Sequence, residues 1–257
     1  MNYICEHFSS IDSTNEEAKR RYTGGDIREQ LLSADFQSAG KGRNGRSFYS
    51  PENTGIYFSY LYPNPENEPI GNLIFVTTVA AVLVCDAIRK VTKADAGIKW
   101  VNDVYVNDKK VCGILAEVAY QDSVPGIIVG IGINLSTTDF PEEIQGIASS
   151  VGTFTDEELR KIKKEIIGSV GDGLWQFFRN SGNAAYKECI LSSYREMSLV
   201  IGREVSFGTE NETEMTGIAT GIEEDGSLSV KLQNGEIRTL NSGEIHLKLL
   251  RYRNKKE

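Results

Sequence analysis

A glycine- and cation-rich segment, GKGRNGR at residues 40–46, separates two apolar runs that are typical of β-strands, residues 31–36 and 56–62. Glycine has no Cβ, so a glycine-rich backbone bends sharply and approaches a ligand closely. The lysine and the two arginines of the segment add positive charge and N–H donors at the same place. The sequence therefore predicts a strand–loop–strand unit whose loop suits a phosphate-bearing ligand.

The spacing G-x-G-x-x-G in this loop also occurs in dinucleotide-binding proteins, but the surrounding sequence does not fit them. In those proteins the third glycine opens a helix inside a βαβ unit. Here residues 47–55 are turn formers that lead into the second strand-like run, so no helix is expected at Gly45. A kinase-type loop is not favoured either, because no His-Arg-Asp or Asp-Phe-Gly segment follows. For this loop alone, a solvated basic turn is the alternative.

Bulk composition narrows the classes of partner and of chemistry. Thirty-six Asp and Glu residues against 28 Lys and Arg give a net charge of −8, which argues against nucleic acid as the main partner. The four cysteines form no CxxC pair and only two histidines are present, so neither a zinc site nor a histidine-based triad is expected. No signal peptide and no membrane span are predicted, which indicates a cytoplasmic protein.

The order of the predicted elements is typical of an α+β domain. Capping-box spacing at Ser13 or Thr14 predicts the start of one helix, and the same spacing at Thr155 predicts the start of another. Runs 111–118 and 127–135 follow each other directly, which favours an antiparallel pair over βαβ alternation. The remaining predicted elements are a helix over 71–93, short strands over 98–100 and 104–106, and helices over 155–178 and 184–197.

A change of character at residue 199 indicates a second, smaller domain. Glycines there separate short alternating runs such as residues 227–232, a pattern typical of a small β-barrel or sandwich. The predicted organisation is therefore a mixed or antiparallel sheet with flanking helices over 1–197, a small β domain over 198–250 and a charged tail over 251–257.

Two further segments place polar side chains at the ends of strands. Lys99 precedes Trp100 and lies near Asn102 and Asp103, where a partly desolvated ammonium suits the stabilisation of charge on a carboxylate or phosphate. An edge-strand lysine beside a hairpin is the alternative. Asn134 ends the apolar run GIGIN, where its amide suits the edge of a nucleobase; a structural strand-end asparagine fits equally well.

Taken together, these segments resemble the biotin protein ligase family. The resemblance follows the family's order and approximate spacing and is carried by Ser13-Thr14-Asn15, by Gln37 with the loop 40–46, and by segments 99–103, 113–117 and 130–134. It extends over nearly the whole chain, because residues 198–250, including Ser242-Gly243-Glu244, resemble the family's SH3-like domain. It implies a catalytic domain like those of biotin ligases and class II aminoacyl-tRNA synthetases.

The resemblance implies an ATP-dependent ligase. Such an enzyme makes biotinyl-5′-adenylate from biotin and MgATP and then transfers biotin to one lysine of the carrier domain of a biotin-dependent carboxylase such as acetyl-CoA carboxylase. Mg²⁺ would accompany ATP, and no tightly bound metal is expected. Only 12 residues precede Ser13, so a monofunctional ligase without the DNA-binding domain of some members is expected. The family dimerises through its sheet in several ways, which leaves a homodimer open.

The resemblance also implies roles for individual residues. Lys99 and Arg43 would be catalytic, Lys99 by bridging the biotin carboxylate and the α-phosphate. Biotin would be bound by Ser13, Thr14, Asn15, Gln37, Lys41, Gly42, Arg43, Lys99 and Gly113. ATP and the adenylate would be bound by Arg43, Arg46, Asn102 and Asn134. Asp103, helped by Glu117, would place Mg²⁺.

Two positions depart from the family's pattern. Lys41 stands where arginine is usual and loses a planar bidentate donor, and Val101 stands where proline is usual, which loosens the backbone beside Lys99. These departures keep open a non-catalytic biotin-binding protein as one alternative. A lipoate or octanoate ligase of the same fold is the other.

Overall fold

The structure is a computed structural model that describes residues 3–64, 73–208, 215–241 and 245–247. The first part of the chain forms β1 (Ile4–Ile11), α1 (Thr14–Thr23), β2 (Gln30–Gln37), β3 (Gly55–Tyr62), α2 (Leu73–Thr92), β4 (Ala96–Lys99), β5 (Asp103–Val106), β6 (Lys109–Gln121) and β7 (Val124–Asn134). The second part forms α3 (Glu142–Gln145), α4 (Asp156–Arg179), α5 (Ala184–Met197), β8 (Glu204–Phe207), β9 (Met215–Ile222), β10 (Leu228–Leu232), β11 (Ile237–Leu240) and β12 (Ile245–Leu247).

Seven strands form one mixed sheet in the order β1-β2-β3-β7-β6-β5-β4. β1 and β2 are parallel, and every other neighbouring pair is antiparallel. β6 and β7 form a long hairpin in which Gly113 lies opposite Gly132. The predicted antiparallel pairing of these two runs is confirmed, as is the mixed sheet with flanking helices.

The two faces of this sheet are covered by different helices, because successive side chains of a strand point to opposite faces. On one face, Val129, Ile131 and Ile133 of β7 join the large core formed with α2, α4 and α5. On the other face, Ile128 packs against α1 through Tyr22. The residues of β7 that continue this second face are glycines, so the sheet beyond α1 is left uncovered by its own side chains.

The helix predicted at Ser13 or Thr14 is α1, and Ser13 is its N-cap. The predicted helix start is confirmed, although the Ser13 side chain makes no cap hydrogen bond within the part of the chain that the structure describes. The two acidic residues that would complete the box bind cations instead, Glu16 with Lys19 and Lys41 and Glu17 with Arg20 and Arg21. At Thr155 the predicted capping box is present.

The predicted C-terminal β domain is confirmed as a five-stranded antiparallel sheet, in the order β11-β10-β9-β8-β12. It docks beside the large sheet, where the buried Trp100 indole donates to the Gly226 carbonyl at 3.0 Å. Residues 242–244 of the predicted SH3-like match and the predicted tail 251–257 lie outside the described residues. The domain boundary after residue 197 stays a prediction.

The helix predicted over 71–93 is α2, and its residues 71 and 72 lie outside the described ranges. It is buried against the sheet along most of its length. In the segments that the structure describes, no helix combines the length and apolarity that a membrane crossing requires.

Candidate active site

A cavity of about 350 Å³ lies on the uncovered part of the large sheet, between the N-terminus of α1, the glycine loop and strands β4 to β7. Gly130 and Gly132 of β7 form its floor, and the space above them stays open because glycine has no side chain to fill it. The structure brings together these residues predicted from the sequence: Ser13, Thr14, Asn15, Gln37, Lys41, Gly42, Arg43, Arg46, Lys99, Asn102, Asp103 and Gly113.

The N-terminus of α1 presents a set of fixed, buried polar groups to the cavity. The Thr14 backbone N–H and its hydroxyl donate to Gln37 Oε1 at 2.9 and 3.1 Å. The Ser59 hydroxyl donates to Asn15 Oδ1 at 2.5 Å and lies 2.7 Å from Thr14 Oγ1. Hydroxyl and amide groups held in this way suit a ligand that offers both N–H and C=O groups.

Glu117 lies behind this polar set and does not line the cavity. Its carboxylate accepts from Asn15 Nδ2 at 2.8 Å and from Lys19 Nζ at 2.6 Å, so both oxygens are engaged. The structure therefore gives Glu117 a role in orienting Asn15, and its engaged oxygens do not suit the placing of a metal.

The glycine loop folds into a compact hairpin beside the cavity. Gly42 N donates to Arg46 O at 2.7 Å and Phe48 N donates to Gly40 O at 2.9 Å. Inside the Gly42–Arg46 bond the chain turns at residues 43–45, where Asn44 (φ +55°) and Gly45 (φ +73°) both adopt the left-handed conformation that glycine accepts without strain. No α-helix opens at Gly45, as predicted.

Aromatic packing attaches the loop to the floor of the cavity. The Phe48 ring lies against the glycines of β6 and β7, where a Cβ built on Gly132 would approach Phe48 Cδ1 to 2.7 Å. Gly113 lies under the same ring, with 3.2 Å between its built Cβ and Phe48 Cε2. Glycine at these positions is therefore what allows the loop to pack onto the sheet.

Positive charge dominates the lining of the cavity. Asp103 is the one acidic side chain among the lining residues that the structure describes. The cationic lining residues are Lys41, Arg43, Arg46, Lys99 and Lys110. On a chain with a net charge of −8, this local excess of cations indicates an anionic ligand.

The cations are held by specific neighbours. Arg43 Nη1 donates to Asn102 Oδ1 at 3.0 Å, and Asn102 Nδ2 in turn donates to the Ile114 carbonyl at 3.0 Å. Lys99 ends β4, and its ammonium lies 5.5 Å from the centre of the Tyr105 ring. These contacts direct two cations from different elements toward one space.

Lys110 is a cavity residue that the sequence analysis missed. Its ammonium lies 2.6 Å from Asp103 Oδ1, so the predicted magnesium ligand is paired with a cation. Lys110 stands on β6 opposite Tyr105 of β5, in a register that the spacing of the sequence does not specify. Within the described ranges, no cluster of three His, Cys, Asp or Glu side chains suits a metal ion.

Asn134, like Glu117, is a predicted site residue that does not line the cavity. It ends β7, is 4% exposed, and its Oδ1 accepts no hydrogen bond in the described part of the chain. A buried amide oxygen without a donor is uncommon and costs free energy, so a ligand N–H is a suitable partner for it.

Cysteine chemistry is not favoured at this site. The described lining residues include no cysteine. Cys112 lies on β6 but faces the core, and burial raises the pKa of its thiol, which suppresses the reactive thiolate.

The sequence matches known families over most of its length. Residues 8–134 match the Biotin/lipoate A/B protein ligase family, and residues 200–248 match the Biotin protein ligase C terminal domain. The chain is 31% identical to the bifunctional ligase/repressor BirA of Bacillus spizizenii, over 92% of this chain and 72% of that protein. It is 29% identical to the biotin–[acetyl-CoA-carboxylase] ligase of Mycobacterium tuberculosis, over 92% of this chain and 86% of that one.

Solved structures agree with these matches. The biotin protein ligase of Aquifex aeolicus in complex with biotin and ATP is 30% identical and superposes with a TM-score of 0.75, over 95% of this chain and 98% of that one. The Leishmania major biotin protein ligase in complex with biotinyl-5-AMP, at 17% identity and a TM-score of 0.58 over 93% and 99% of the two chains, shares the fold. The chain belongs to the biotin protein ligase family.

Proposed function

We propose that this protein joins biotin to AMP at the expense of ATP and then transfers biotin to a lysine of a biotin carboxyl carrier domain. The observation that carries the proposal is one cavity with fixed hydroxyl and amide groups at one end and five cationic side chains around it. Biotin has a ureido ring that needs such polar partners, and a carboxylate that must meet the phosphates of ATP. The Aquifex relative was solved with both of these compounds.

The polar end of the cavity fits the ureido ring of biotin. Thr14, Asn15 and Gln37 are already held by hydrogen bonds to one another or to Ser59, so little side-chain freedom is lost on binding. Ser13 stands next to them as the N-cap of α1. Gly113 and the glycines of β7 leave the space in which the fused rings lie.

The cationic part of the cavity fits the adenylation step. A carboxylate oxygen of biotin attacks the α-phosphorus, pyrophosphate leaves, and a mixed anhydride forms. Lys99 stabilises the negative charge shared by the carboxylate and the phosphate, with Lys110 nearby as a second cation. In the transfer step a carrier lysine, deprotonated, attacks the acyl carbon and AMP leaves. The loop carrying Lys41, Gly42 and Arg43 excludes water from the anhydride meanwhile.

The remaining assignments concern the nucleotide. Arg46 is exposed at the loop and suits the outer phosphates, and Asn102 positions Arg43 for the adenylate. The unpaired Oδ1 of Asn134 suits an exocyclic amine of the base. Mg²⁺ would be supplied together with ATP, and Asp103, which pairs with Lys110, is the cavity residue that would hold it.

Pyrophosphate release tests the proposed function. The purified protein is mixed with MgATP and either biotin, lipoate, octanoate or no acid, and pyrophosphate is measured over time. We expect release to depend on biotin alone, and label from [¹⁴C]biotin to appear on an added carrier domain. Release with lipoate or octanoate would establish the rival ligase, and tight biotin binding without release would establish a binding protein.

The variant Gly130→Ala tests the polar end of the cavity. A Cβ at this position would clash with Asn15 Oδ1 and lie 2.7 Å from Asn15 Cγ, so Asn15 must move away from Ser59 and Glu117. Losing such buried hydrogen bonds costs about 1–3 kcal/mol, and we expect biotin to bind roughly tenfold more weakly or worse by titration calorimetry. Gly168→Ala in α4, where the new Cβ meets no atom within 4 Å, is the control. Unchanged biotin affinity in Gly130→Ala would remove Asn15 from the site.

A further inference from the structure

A carboxylate on α1 contacts the glycine loop. Glu16 Oε1 lies 2.6 Å from Lys41 Nζ, in the loop, and 3.1 Å from Lys19 Nζ, one turn along the helix. The hydrogen bond from Lys41 is the largest cause of a lowered pKa for the Glu16 carboxyl, which is therefore ionised at neutral pH. The ion pair connects a cavity residue of the loop to the helix that forms the polar end of the cavity.

Glu16 is available for this contact because another residue caps the helix backbone. Glu16 occupies the position from which a glutamate reaches back to the N-cap N–H in a capping box. Here the N–H of Ser13 donates instead to Asp12 Oδ1 at 2.7 Å. Glu16 thus faces the loop rather than its own helix end.

The same carboxylate is linked to the floor of the cavity through alternating charges. Lys19 bridges Glu16 and Glu117, at 3.1 and 2.6 Å. Glu117 then accepts from Asn15, whose Oδ1 accepts from Ser59. Lys19 and Glu117 are each about three-quarters buried, so this network is more rigid than an exposed surface pair, and it fixes the position of Glu16 against α1.

We propose that Glu16 is a positioning residue that holds the glycine loop over the cavity through Lys41 and thereby slows the loss of the bound adenylate. The retention part rests on the proposed function, whereas the holding of the loop does not. Glu16 does not line the cavity, so its effect on the ligand is transmitted by the loop.

Hydrogen exchange of the unliganded protein tests whether Glu16 holds the glycine loop, and no reaction is needed for this measurement. We expect Glu16→Gln to raise the exchange rate of the amides at residues 40–48 about two- to fivefold, the range of a partly exposed ion pair. Raising NaCl from low to high concentration should raise the same rates in the unmodified protein and leave them nearly unchanged in the variant. Equal exchange rates at residues 40–48 in the unmodified protein and in Glu16→Gln would overturn the proposal.

Glu17→Gln is the matched control, since it removes the same charge one residue further along α1. Glu17 pairs with Arg20 and Arg21 and does not contact the loop, so exchange at 40–48 should stay unchanged. Faster loop exchange in Glu17→Gln as well would assign the effect to the helix as a whole and would overturn the proposed role of Glu16. The double variant Glu16→Gln with Lys41→Gln should exchange no faster than the faster single variant.

The rate of adenylate release tests the second part of the proposal, that Glu16 slows the loss of the bound adenylate. The dissociation rate of added biotinyl-5′-adenylate is measured by displacement, and Glu16→Gln should release it about two- to fivefold faster than Glu17→Gln. Faster exchange with unchanged release would overturn the retention role. If the unmodified protein fails to bind the adenylate at all, the proposed function fails, while hydrogen exchange still decides whether Glu16 holds the loop.

Discussion

Replacing Lys99 with alanine is expected to slow biotin-dependent pyrophosphate release by about two to three orders of magnitude, the usual effect of removing one charge-stabilising donor from a preorganised site. Lys99 projects from the end of β4 into a cavity where a carboxylate and a triphosphate must approach each other. Their repulsion grows as the mixed anhydride forms. In the proposed mechanism Lys99 neutralises that charge without moving, because the strand and the contact with Tyr105 hold it.

The measurement is the single-turnover rate of pyrophosphate release at saturating biotin and MgATP, which separates the chemical step from binding. Lys90→Ala, on the exposed side of α2 and paired with Asp86, is the control and should match the unmodified protein. A Lys99→Ala rate within about threefold of the control, with a normal unfolding temperature, would show that the chemistry relies on another cation. Lys110→Ala is then the next variant to measure.

Replacing Arg43 with alanine is expected to leave adenylation measurable while releasing the adenylate roughly tenfold faster or more. Arg43 joins the loop to the β4–β5 turn through its 3.0 Å bond to Asn102 Oδ1, and hydrogen bonds to charged groups contribute about 1.5–3 kcal/mol. Without that link the loop opens more often, and water reaches the anhydride. Free biotinyl-5′-adenylate should therefore accumulate in solution during turnover without a carrier.

Chromatography of the quenched reaction measures this leakage as adenylate not bound to protein. Arg28→Ala removes an arginine that pairs only with Asp26 among its described ion pairs, and it should leak no more than the unmodified protein. Asn102→Ala should leak as Arg43→Ala does, and the double variant should add little, because the two side chains act through one bond. Full retention of the adenylate by Arg43→Ala would contradict the role given to the loop.

Local sequence was sufficient for most of the elements around the site. The apolar runs on either side of the loop are β2 and β3, because each carries its own strand pattern. The turn formers at 47–55 stop a helix at Gly45, so the loop folds as a hairpin. The resemblance then selected residues from five separate segments, and all of those except Glu117 and Asn134 line one cavity.

Pairing between distant residues explains what was missed. Lys110 enters the cavity because β5 and β6 pair with a register shift between Val104 and Tyr105, which sequence spacing does not specify. β1 was not predicted because it is polar and mostly exposed, and its parallel pairing with β2 has no local signal. The spacing at Ser13 predicted the start of α1 correctly, but Glu16 does not complete a capping box, since its partner lies in the loop.

The concentration of cations in the cavity also bears on how substrates arrive. A chain with a net charge of −8 repels small anions over most of its surface. A molecule that carries both a neutral ring and an anionic end meets a local excess of cations at the mouth formed by the loop, where Lys41 is 44% exposed. Binding there brings in the anionic end of the molecule first, so the molecule is oriented as it associates. The salt concentration of the medium then affects the association rate more than the final affinity.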